Sequence, residues 1–111
     1  MTERDTTEFA LDSVIHEKAR LAVLTYLASS RVSSVPFTEL RDELNLTAGN
    51  LSVQLRTLEQ AGYVEIDKRI VGRKPVTSVS LTERGHTGLR EYVRKMEIII
   101  QKLSSPLRPD S

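Results

Sequence analysis

No cysteine occurs anywhere in the 111 residues. Its absence excludes a disulfide framework, a thiolate nucleophile and a cysteine-ligated metal site. Histidine is scarce too. His16 and His86 stand too far apart to suggest a closed zinc site, and each reads as a packing or surface residue. No run of about 18 apolar residues is present, as a membrane span would need. The N-terminus is acidic and polar rather than basic and then apolar, unlike a secretory signal. No membrane partner is expected, and the chain reads as cytoplasmic. There is no internal repeat, low-complexity tract, Gly-rich phosphate loop, Ser/His/Asp set or carboxylate pair at a catalytic spacing. Neither an enzyme activity nor a cofactor is expected.

Charge of one sign is also lacking, since the net charge is only +1. Its distribution is uneven. The first twelve residues carry Glu3, Asp5, Glu8 and Asp12 against Arg4 alone. Lys68, Arg69, Arg73 and Lys74 fall within seven residues with no acid among them. A phosphate backbone senses the local field, so a basic loop on a near-neutral domain is compatible with double-stranded DNA as a partner.

Apolar periodicity and capping residues lay out one domain over residues 12–103, between a flexible arm (1–11) and a flexible tail (104–111). Asp12 or Ser13 can cap a first helix reaching about Ala28, without a capping box. Its apolar residues cover more than one stripe, so it is expected to be buried on two sides. Val35-Pro36-Phe37 suits a very short edge strand, where proline is tolerated. Thr38 is the expected cap of a second helix, with Leu40 and Leu44 facing the core. Asn45-Leu46 makes a turn. Thr47 caps a third helix whose Leu51, Leu55 and Leu58 form an amphipathic stripe, and Gly62 stands where a left-handed residue ends it. Tyr63–Val71 and Val76–Leu81 read as strands around a Gly72–Pro75 turn, with Val64 and Ile66 on one face and Glu65 and Asp67 on the other. Thr82 caps a last helix over residues 82–103. The class is mainly α with a small β-hairpin, in the order α-(β)-α-α-β-β-α.

With the leucine stripe inward, the other side of the third helix presents Gly49, Val53, Arg56, Thr57 and Gln60, with Asn50 and Ser52 on its shoulders. Its first two turns are small and polar, which suits a helix entering a major groove about 12 Å wide. Arg56 can read guanine or hold a phosphate, Asn50 can read adenine, and Val53 can touch a thymine methyl. Gln54 can act as Asn50 does but lies nearer the buried side. Thr47 and Gly49 leave the helix N-terminus open to a phosphate. A helix that merely faces water is also polar on one side. Lys68, Arg69, Arg73 and Lys74 are expected at the hairpin tip, for phosphate or minor-groove contact; a basic run alone would more plainly be a solvated turn, but its place directly after a helix-turn-helix reverses that preference. In the last helix Leu89, Tyr92 or Val93, Met96, Ile99 or Ile100, and Leu103 recur every three to four residues. A chain this small takes its core from the first three helices, so the stripe reads as a homodimer seam, with intramolecular core as the other reading.

His16-Glu17-Lys18-Ala19-Arg20-Leu21, Phe37-Thr38-Glu39-Leu40, Leu46-Thr47-Ala48-Gly49-Asn50-Leu51-Ser52, Leu55 to Leu58, Ala61-Gly62-Tyr63-Val64, Gly72-Arg73-Lys74-Pro75 and Leu81-Thr82-Glu83-Arg84-Gly85 follow one another in this chain. In that order, over about residues 13–103, they resemble the compact winged helix-turn-helix transcriptional regulators of bacteria and archaea. The likeness is to the multiple-antibiotic-resistance regulator (MarR) and arsenical-repressor (ArsR) types. The resemblance implies a homodimer on a pseudo-palindromic operator, using the third helix and the wing of each subunit. The chain departs from metal-sensing relatives in having no cysteine. It departs from drug-sensing relatives in its short flanks, so no small-molecule effector is implied. The alternative is a winged-helix module that docks on protein or RNA without an operator of its own.

Overall fold

A computed structural model of the chain describes residues 10–107, with side chains as far as residue 104. Most of the expected arm (residues 1–9) and the end of the expected tail (108–111) lie outside the described residues. Where the arm is described it belongs to the folded domain: Leu11 packs against the core, and the Ala10 carbonyl accepts a hydrogen bond from Lys95 Nζ at 3.1 Å.

The first helix starts later than its cap residues suggest. Asp12 Oδ1 accepts from the N–H groups of Val14 and Ile15, at 2.8 and 3.3 Å, and so closes a separate turn. That turn drives Ile15, fully buried, into the core. Glu17 then adopts an extended backbone and caps α1 (Lys18–Ser29) by accepting from Arg20 N. This hydrogen bond holds the Glu17 carboxyl below its usual pKa. The turn is pinned at two further points. The Tyr63 hydroxyl donates to Asp12 Oδ2, and His16 Nδ1 lies 2.8 Å from the Tyr92 hydroxyl. Burial, then the bond to Asp12, pushes the Tyr63 phenol above its usual pKa. The body of α1 buries Val23, Leu24 and Leu27.

β1 (Val35–Pro36) pairs antiparallel with the central strand of a three-stranded sheet. α2 (Phe37–Glu43) follows without a break, so Pro36 rather than Thr38 occupies the cap position and no side chain caps the helix. Proline supplies the required φ of −61° and lacks the N–H that would need a partner. α2 buries Leu40. Asn45, at φ +58°, turns the chain by the left-handed route, with Leu46 N bonded back to the Arg41 carbonyl. α3 (Ala48–Gln60) begins at Thr47, whose Oγ1 accepts from Asn50 N at 3.0 Å. It ends in a Schellman pattern at Gly62, with Gly62 N bonded to the Glu59 carbonyl and Tyr63 N to that of Leu58. Leu51, Leu55 and Leu58 are all buried, as their stripe requires.

β2 (Val64–Val71) and β3 (Lys74–Leu81) form the wing, paired from Val64↔Leu81 to Val71↔Lys74. The turn is only Gly72-Arg73, and both residues have positive φ, 55° and 72°, as a type I′ hairpin demands. Lys74 and Pro75, expected in the turn, belong to β3. α4 (Glu83–Leu107) starts at Thr82, whose Oγ1 accepts from Gly85 N and donates to the Gly62 carbonyl. It runs past residue 103, where its end was expected, with Ser104 Oγ bonded back to the Ile100 carbonyl at 2.7 Å. Local helical hydrogen bonding therefore continues through the first part of the expected tail. Ile15, α1, β1, α2, α3, the start of β2, the end of β3 and Tyr92 of α4 enclose one core.

Candidate nucleic-acid interface

α3 turns its leucines inward and leaves Thr47, Gly49, Asn50, Ser52, Val53, Arg56 and Gln60 exposed, with Thr57 half-buried. These are the side chains expected on its outer face. The open first turn is also present: a Cβ added at Gly49 would meet nothing within 4 Å.

Gln54 lies nearer the buried side, as its helix position implies: it is half-buried, with a hydrogen bond at each end of its amide. Arg20 Nη1, on α1, donates to Gln54 Oε1 at 2.7 Å, and Gln54 Nε2 donates to Asn50 Oδ1 at 2.9 Å. Arg20 is itself anchored, since its Nε donates to the Val14 carbonyl at 2.6 Å and its side chain is only 18% exposed. Sequence reasoning missed Arg20 because its partner lies 34 positions away on another helix.

The wing residues are all exposed but do not share one place. Arg73 is in the turn and Lys74 closes the ladder opposite Val71. Lys68 lies opposite Thr77, three pairs down from the turn, or about 10 Å at a strand's rise per residue. There it lines a groove between α3 and the sheet together with Ser52, Arg56 and Thr77. The tip cluster expected from sequence is therefore split by strand register: Lys68 serves the groove beside α3, while Arg73 and Lys74 serve the tip. Glu59 lines the same groove. Arg69 is partly neutralised by Asp67, with Nη2 and Oδ2 2.6 Å apart. The tip carries two apolar residues that sequence reasoning passed over, Ile70 and Val71, which are 70% and 55% exposed. Their signal was an adjacent β-branched pair between basic residues and a turn, with no core facing it.

The stripe on α4 divides. Tyr92, expected in a dimer seam, is buried in the core of its own chain, and Leu89 and Met96 pack partly against that core. Val93, Ile100 and Leu103 are about half exposed or more, and Ile99 is half-buried. Among the described residues no group of His, Asp or Glu side chains is arranged to hold a metal ion, and no helix is long and apolar enough to cross a membrane.

The sequence profile described as "Winged helix DNA-binding domain" matches residues 19–100. The uncharacterized protein MJ0432 of Methanocaldococcus jannaschii is 35% identical over 57 residues, which are 51% of this chain and 62% of that protein. The chain thus spans about three fifths of the curated relative that it matches. Among solved structures, a transcriptional regulator homologue from Pyrococcus horikoshii OT3 superposes with a TM-score of 0.80 at 26% identity, covering 92% of this chain and 98% of that one. The crystal structure of MarR superposes at 0.68 with 21% identity, covering 87% and 69%, a likeness of fold.

Proposed function

The chain belongs to the winged helix DNA-binding domain family, and from that premise we propose that it is a sequence-specific regulator of transcription, working in the cytoplasm as a homodimer on a pseudo-palindromic operator. The family is one of DNA-binding domains, not of enzymes. The observation that carries the proposal is the exposed, small and polar face of α3, flanked by Lys68 and Arg56 in one groove and by Arg73 and Lys74 on the wing. A helix with such a face fits the major groove, and the basic wing then lies along the adjoining backbone. On this reading Thr47, Gly49 and Ser52 meet phosphates, Asn50, Val53 and Arg56 meet base edges, and Thr57 lies at the margin.

The homodimer is supported by the spacing of Leu89, Val93, Met96, Ile100 and Leu103. Steps of four, three, four and three residues are the a/d repeat of a helix–helix seam. A protein-docking module would have no use for the cations at the tip.

Titration of random duplex DNA at several salt concentrations tests the proposal. The native protein is expected to lose affinity steeply with salt, and Arg73→Ala/Lys74→Ala to flatten that slope by about 0.9 log units for each phosphate contact removed. An unchanged slope in the variant would take the wing out of the interface. Failure of the native protein to bind any duplex would leave docking on protein or RNA as the function.

A further inference from the structure

We propose that Arg20, acting through Gln54, sets the base preference of the recognition helix by deciding which edge of the Asn50 amide faces the DNA. The inference rests on the reading of α3 as the helix that enters the groove. A guanidinium carries only donors, so the Gln54 atom 2.7 Å from Arg20 Nη1 is the amide oxygen. The other end of that planar amide, an NH2 group that can only donate, is then the one presented to Asn50. The Asn50 atom 2.9 Å away is therefore its oxygen. Both amide orientations follow from one cation rather than from a choice of atom names. Arg20 cannot swing away at will, because its Nε is bonded to the Val14 carbonyl. The Asn50 oxygen is thus held by Gln54 on the exposed face of α3, while no group among the described residues accepts from the Asn50 NH2.

In the major groove the exocyclic group is a keto oxygen on guanine and thymine and an amino group on adenine and cytosine. An asparagine presenting its NH2 donates to the keto oxygen; adenine offers N7 as an acceptor too, but sets its own amino donor against the NH2 beside it. Asn50 therefore selects guanine or thymine at the position it meets, whereas a freely turning asparagine pairs with adenine through both amide atoms. Asn50 touches the base; Arg20 and Gln54 are positioning residues.

Gln54→Glu gives the test. The carboxylate keeps a partner for Arg20 but can only accept from Asn50, which must then turn its NH2 inward and its oxygen outward. Selection of binding sites from a random duplex library is carried out with the full chain, native and variant, and Asn50→Ala identifies the position concerned as the one it makes indifferent. The native protein should prefer keto bases there, on the order of ten-fold, and Gln54→Glu should reverse this to amino bases. The added negative charge weakens all duplexes alike and cannot itself produce a reversal. Gln54→Met, which frees the Asn50 amide without adding charge, should shift the preference there to adenine and leave other positions unchanged. It carries the test if Gln54→Glu fails to fold by circular dichroism. A native preference for adenine or cytosine at the Asn50 position, or a keto preference that persists in the variants, would overturn the proposal while leaving the function standing. Native binding without any sequence preference would overturn the groove reading of α3 and this proposal with it. Failure to bind any duplex would overturn the function itself.

Discussion

Gly85 shows how tightly a single residue can be constrained without lying in a turn. A Cβ placed there would stand 2.2 Å from the Tyr63 carbonyl oxygen and 2.6 Å from Leu81 Cδ1. The carbonyl cannot yield easily, because it accepts from Thr82 N at 3.1 Å. Thr82 in turn caps α4 and holds the Gly62 carbonyl. The start of α4, the end of α3 and the start of β2 are thus closed together over a missing side chain. Gly85→Ala is expected to destabilise the fold by about 1–3 kcal/mol, as overpacking does elsewhere. Urea unfolding followed by circular dichroism should show a lower midpoint with an unchanged slope. A midpoint equal to that of the native protein would mean that the contact relaxes without cost.

At the scale of elements, the proposed function divides two kinds of work between α3 and the wing. Arg56 stands on the exposed face of α3, and Lys68 reaches the same groove from β2. On the proposed function the first reads a base edge and the second holds the backbone. Arg56→Ala is therefore expected to cost about 1–3 kcal/mol on the selected operator and to relax one position in each half-site. Lys68→Ala should weaken all duplexes alike. Competition assays with operator and scrambled DNA separate the two patterns, and an equal loss on both sequences for Arg56→Ala would make it a phosphate contact. That Lys68 belongs to this groove follows from its pairing with Thr77, which sets it on the side of the sheet that carries Val64 and Ile66.

The molecule as a whole is elongated, 62 × 32 × 25 Å over the described residues. α4 has 25 residues, about 37 Å of helix at 1.5 Å per residue. Its first half is anchored by Tyr92 against the core, and its second half carries Ile100 and Leu103, each more than half exposed. Two copies joined along that half would hold two α3 helices in one assembly, and an operator read on one face asks for about 34–36 Å between them. Ile100→Glu places a charge in the proposed seam without touching the core of one chain. It should sediment as a folded monomer, keep its helical content and lose high-affinity operator binding. Unfolding of this variant, or a native protein that is monomeric at micromolar concentration, would count against the seam. Tyr92→Ala, in contrast, should destabilise the single chain, since it opens a cavity in the core.

Local chemistry wrote much of this protein into its sequence. The caps Thr47 and Thr82, the left-handed Gly62, the leucine stripe of α3 and the alternation of β2 each depend on residues a few positions apart, so their order along the chain was enough to place them. The outer face of α3 was legible for the same reason, because helical geometry fixes which residues oppose a buried stripe. Contacts between distant segments decided the rest. Asp12 closes its own turn and Glu17 restarts the helix because Ile15 has a core to enter, which nothing near residue 15 announces. The α4 stripe is one pattern in sequence, yet tertiary packing gives Tyr92 to the core and leaves Val93, Ile100 and Leu103 outside. Register moves Lys68 away from the tip, since the pairing partner rather than sequence proximity sets a strand residue's neighbours. Most of all, the direction of the Asn50 amide is settled by an arginine on a different helix: a hydrogen-bond donor acts over about 3 Å in space, whatever the length of chain between it and its acceptor.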